Sequence, residues 1–188
     1  SAGVRERVDE DRLPRPVAWG AGVFFAGLLF TAMSSAWFHL APDTTRLVWD
    51  RLGMGVGFAG MLTLVAQRWA GPQAGWPVLA TALPLALVSA VLPHTHGNVV
   101  PWALVQFGGM GLLLAAALHR GAPADGALPV RFGVIVTIYA LAKWFEGIDE
   151  GMFEATGHWV SGHTLKHLTA ALAAWPVIAA VVSYKRRT

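Results

Sequence analysis

Residues 17–40 include no Asp, Glu, Lys or Arg. An apolar run of that length is what a helix needs to cross the hydrocarbon layer of a bilayer. Five further runs follow, at about 45–69, 76–92, 99–118, 128–145 and 161–184. The second has Asp50 and Arg51 near its start, the third carries Pro84 and is the shortest, and the fifth has Arg131 near its start. The runs are continuous and too long for barrel strands, so they read as helices. The expected fold is all-α: a polytopic transmembrane helix bundle with short loops. It forms a single domain over 1–188, with a polar segment at 1–15 and a basic tail at 185–188.

Composition supports lipid as the solvent. Only 13% of residues are charged and 55% are hydrophobic, with a mean hydropathy of +0.50. Soluble domains carry about 25% charged residues. A net charge of +3, spread between apolar runs and chain ends, argues against a nucleic-acid partner. With no cysteine, any metal must be held by His, Asp, Glu or hydroxyl groups. The segment 1–15 has no apolar core and does not read as a signal peptide.

Loop charges orient the bundle. One side collects Arg5, Arg7, Arg12, Arg15, Arg68, Arg120, Arg131, Lys185, Arg186 and Arg187. The other mixes Arg46, Arg51, Lys143 and Lys166 with Asp43, Asp50, Glu146, Asp149, Glu150 and Glu154. The positive-inside rule places the first side, and with it both chain ends, in the cytoplasm.

On the opposite side several polar residues fall at similar depth. Ser35 and His39 stand four apart at the end of the first helix, so they share a face. Asp50 lies about one turn into the second. His163 and His167, also four apart, open the last helix. Ionisable groups at such depth are costly unless they pair, bind an ion or face a cavity. Two histidines at i and i+4 can grip one metal, and His39 would supply a third nitrogen. Three protein ligands plus water is the open arrangement of a catalytic zinc site. Each feature has a plainer reading. Asp50 could pair with Arg51, Ser35 could bond back to its own helix, and His158 reads as interfacial. The joint occurrence on one side favours a site.

Ser35-Ala-Trp-Phe-His39, Asp50 eleven residues later and His163-Thr-Leu-Lys-His167 resemble the alkaline ceramidase family. That family belongs to the membrane hydrolase superfamily that includes the adiponectin-type receptors. The phrases "SSAWFHLAPDTTRLVWDRLGM" and "SGHTLKHL" are most similar to its bacterial ceramidase-like branch, and the likeness extends to "WALVQF" and "LAKWFEGIDEGMF". Family members have seven spans, with the Ser–His motif on the second. Here it falls on the first of six, so the resemblance implies that the first helix is missing from this sequence. No calcium site can be carried over.

The resemblance implies that His39, His163 and His167 ligate Zn²⁺, that Asp50 is the general base, and that Ser35 stabilises the oxyanion. The reaction implied is hydrolysis of the amide of a ceramide-like N-acyl lipid by a metal-activated water, in a bacterial inner membrane. Two other classes remain open: a receptor-like or scaffold protein with a structural zinc, and a haem-binding electron carrier. Of the remaining polar groups, His94 and His96 are expected in a loop. Glu146 and Asp149 are expected either as partners of the zinc histidines or as a solvated acidic loop, and Lys166 is expected to snorkel from lipid. The nine Trp read as interfacial anchors. Gly53, Gly55, Gly57, Gly60, Gly108, Gly109 and Gly111 read as close-packing positions.

Overall fold

The computed structural model describes residues 13–186. Arg5, Arg7, Arg12 and Arg187, counted above among the basic residues of one side, lie outside the described residues, as does nearly all of the polar segment 1–15. The described chain is helical throughout, with no strand among the described residues. The helices are α1 (Arg15–Leu40), α2 (Thr44–Ala70), α3 (Pro72–His96), α4 (Val100–Leu118), α5 (Phe132–Gly147), the short α6 (Asp149–Ala155) and α7 (Gly162–Lys185). Four of them, α1, α3, α4 and α7, are long and apolar enough to cross a membrane. Of the other two expected spans, α2 is long enough at 27 residues but carries Arg46, Asp50, Arg51, Gln67 and Arg68. Helix α5 has only 16 residues.

The boundaries have local causes. Asp43 caps α2 by accepting a hydrogen bond from the Arg46 amide at 2.8 Å, satisfying one of the open donors of the first turn. Helix α3 is not short. It continues through Pro93 to His96 and stops at Gly97, which adopts a left-handed conformation (φ 67°). His94 and His96 therefore lie in its last turn, not in a loop. Helix α5 starts at Phe132 and not near residue 128, because Pro129 disfavours the helical conformation for Leu128 before it. Helix α4 contains a π turn at Leu104–Gly108. Helix α7 loosens after Ala171, where Pro176 has no amide to donate to the carbonyl of Leu172.

Helices α1 and α2 form an antiparallel pair whose backbones nearly touch. A Cβ on Gly27 would lie 2.1 Å from the Gly57 nitrogen, one on Gly53 2.6 Å from the Thr31 nitrogen, and one on Gly60 2.3 Å from the Phe24 nitrogen. Gly55 packs on Ala86 of α3 and Gly109 on the Phe58 ring, as small-residue seams do in membrane helices. Gly108 and Gly111 do not fit that expectation, since nothing lies within 4 Å of their Cβ positions. The large buried side chains gather at one end of the bundle: Val17, Phe24, Leu64, Leu113, Phe132 and Val177. Eight of the nine Trp are well exposed, as anchors should be, but Trp102 is 7% exposed and belongs to the interior.

Candidate metal centre

The end away from that apolar core holds the histidines. Helix α1 brings His39 in its last turn, and α7 brings His163 and His167 in its first turns. The Nε2 atoms of His39 and His163 are 2.8 Å apart, and those of His163 and His167 2.9 Å. One ligand atom from each of the three lies within 4.8 Å of the others, so the three could hold a metal ion. The donor set is chemically uniform: three imidazole nitrogens converge on one point, and no fourth His, Asp or Glu joins the group among the described residues. Three imidazole nitrogens would suit a borderline-soft divalent ion. His94 and His96 are not part of it; His96 Nδ1 is hydrogen-bonded to Thr95 Oγ1 at 2.7 Å.

Local structure explains how α7 presents its pair. Ser161 caps the helix by accepting from the Thr164 amide at 3.0 Å. Asp149, at the start of α6, accepts from the His163 amide at 2.7 Å. Gly162 makes that approach possible, since a Cβ there would lie 2.2 Å from the Phe145 carbonyl oxygen and 2.8 Å from the Asp149 Cα. Glu146 pairs with Lys166 at 3.1 Å and also with Lys143. Lys166 is thus held against α5 and does not snorkel from lipid. Neither acid hydrogen-bonds an imidazole. They fasten α7, and through it the ligands, without orienting the rings.

Ser35 and Asp50 complete the neighbourhood. Thr31 and Ser34 return their hydroxyl protons to the carbonyls of Gly27 and Phe30, at 2.8 and 2.7 Å. Ser35 makes no such bond. It is 5% exposed and lies beside the Asp50 side chain. Asp50 forms no ion pair with Arg51 among the described residues, and its Oδ1 is buried without a hydrogen-bond partner. A buried carboxylate oxygen left open is costly and calls for a ligand or water.

Sequence reasoning missed two things here. The anchoring by Asp149 and Glu146 joins residues 14 and 20 positions apart, a relation that no periodicity carries. Helix α6 was legible in principle, because Asp149 and Glu150 occupy its first turn, where acidic residues oppose the helix dipole. His158 sits in the loop before α7 with its ring edge-on to Phe153 at 4.8 Å, outside the histidine group. Comparison with protein-family models, with curated proteins and with solved structures found no match.

Proposed function

We propose that this chain is an integral-membrane, zinc-dependent amidohydrolase that cleaves a ceramide-like N-acyl lipid to a fatty acid and a long-chain amine. The observation that carries this reading is the pairing of three converging histidine nitrogens with a buried, unpartnered carboxylate oxygen on Asp50. A structural metal site would close its fourth position and would need neither Asp50 nor Ser35.

The residues divide the work as follows. His39, His163 and His167 would hold the ion. Zinc at such a site lowers the pKa of water to about 7, so hydroxide is available at neutral pH. Asp50 accepts the proton of the attacking water at its open oxygen and returns it to the leaving amine. Ser35, free of its own helix, donates a hydrogen bond to the oxygen on which charge develops. In this reading six helices span a bacterial inner membrane, with α2 and α5 completing the bundle. The chain ends face the cytoplasm, and the histidines lie at the opposite face, where a lipid amide sits near the headgroup boundary. The resemblance to the bacterial ceramidase-like branch agrees with this assignment and supplies the substrate class.

The test combines metal analysis of the purified protein with hydrolysis of N-acyl lipids, ceramide among them. Zinc and fatty-acid release are expected. Asp50→Ala should keep the zinc and lose about 10²–10⁴-fold in rate, the usual worth of a general base. Hydrolysis unchanged in that variant would remove Asp50 from its role. Zinc without any hydrolysis would favour a receptor or scaffold, and a Soret band in the absorption spectrum would replace zinc with haem.

A further inference from the structure

The opposite end of the molecule holds a second polar arrangement. A cavity of about 690 Å³ opens between the end of α2, the end of α4 and the start of α5. Val134 and Ile138 give it an apolar wall, backed by the buried Ala116, Val130 and Phe132, and Arg68 and Arg131 are among the residues that line it. Arg68 Nη2 donates to the carbonyls of His119 and Gly121, at 3.3 and 3.1 Å, and the Arg68 carbonyl accepts from the Ala124 amide at 2.9 Å. These neutral acceptors fix the guanidinium without compensating its charge. Its Nε is buried with no partner. Among the described residues no carboxylate lies within ion-pair distance of either arginine.

Two cations on one cavity repel each other, and low-dielectric walls screen that repulsion less than water does. The Phe132 and Val134 amides at the start of α5 already donate to the Val130 and Arg131 carbonyls, at 3.1 and 3.0 Å, so the positive charge of the cavity comes from the two arginines. An anion relieves their repulsion. The volume lies within the range of about 300–1,000 Å³ that holds drug-sized ligands, well beyond what a lone phosphate fills.

We propose that this cavity binds the headgroup phosphate of an anionic phospholipid, with Arg68 and Arg131 on the phosphate and the apolar wall along the first part of an acyl chain. The proposal rests on the chain being membrane-embedded but not on the histidine chemistry. Arg68 lies 18 residues beyond Asp50 on α2, about 27 Å along the helix axis.

Native mass spectrometry of the full chain, with phosphatidylglycerol and phosphatidylcholine offered in competition, tests it. Each arginine near a phosphate is worth about 1 kcal/mol, so the two together should give a preference for phosphatidylglycerol of about thirtyfold, and R131Q should cut that preference about fivefold. R131Q should also match the wild type in melting temperature and metal content, which separates this result from any failure at the histidines. If R131Q does not fold, R131K should fold and keep the preference. Equal retention of the two lipids, or a preference indifferent to R131Q, would overturn the proposal. Displacement of the lipid by millimolar inorganic phosphate would overturn its lipid part and assign the cavity to a soluble phosphorylated molecule.

Discussion

The two ends of the bundle are held together by different means. At one end Val17, Phe24, Leu64, Leu113, Phe132 and Val177 interlock, and Gly60 lets α2 lie directly on α1 beside Phe24. At the other end the buried residues, Trp102 apart, are small or polar, Ser34, Ser35, Ser89 and Thr169 among them. There the elements are joined by capping acids, the Glu146 ion pairs and the histidine group. The contact of His39 with His163 is the one side-chain hydrogen bond between α1 and α7 among the described residues. Packing is rigid and specific at one end, whereas the other depends on a few polar links that a ligand can strengthen. A site that takes up a ligand suits the second kind of end, since functional elements come from the less stable parts of a fold.

The largest effect should come from breaking the packed end. Gly60→Leu drives a side chain into the Phe24 backbone and should cost about 3 kcal/mol or more, read as a lower melting temperature in detergent. The same substitution at Gly22, which has nothing within 4 Å, should be nearly silent. Comparable losses at both positions would mean that the α1–α2 seam is not what holds this end.

Metal removal should act on the other end alone. Chelation should lower stability by about 2.7 kcal/mol relative to protein with free metal at a hundredfold over its dissociation constant. Hydrogen exchange should rise in the first turns of α7 and the last turn of α1, and stay unchanged around Leu64 and Leu113. A uniform rise would show that the two ends are one cooperative unit. The smallest effect is expected for Asp149→Ala. Loss of the bond to the His163 amide should cost about 1 kcal/mol, as other helix caps do. It should also weaken metal affinity about tenfold, the lower range for residues that support ligands. Unchanged affinity would mean that α7 is positioned by Glu146 and the Ser161 cap without it.

The long helices were legible because lipid allows so few backbone solutions. Residues 17–40 and 99–118 needed only their lack of charge to be assigned. The histidines were legible because i,i+4 spacing fixes a helix face whatever surrounds it. Proline acted in both directions. The third apolar run ends at residue 92, just before Pro93, yet the chain stays helical through Pro93 to His96 and is stopped by Gly97. Pro129, inside an apolar run, delayed a helix that hydropathy alone would begin earlier. The ties from Asp149 and Glu146 to α7, and the gathering of Arg68 and Arg131 on one cavity, depend on how distant segments meet, which pattern within a segment does not encode.

Under the proposed six-span reading, the shortness of α5 has a consequence for the surrounding lipid. Sixteen residues of helix extend about 24 Å, against a hydrocarbon layer of about 30 Å. Along this flank, hydrophobic mismatch would pinch the two leaflets toward each other, at a modest cost per ångström. Lipids in the pinched zone would carry their headgroups closer to the bundle's midplane than lipids elsewhere. In the proposed function, a substrate amide there would approach the depth of the histidines while its chains stay in the bilayer, and the thinned annulus beside α5 would act as the loading zone.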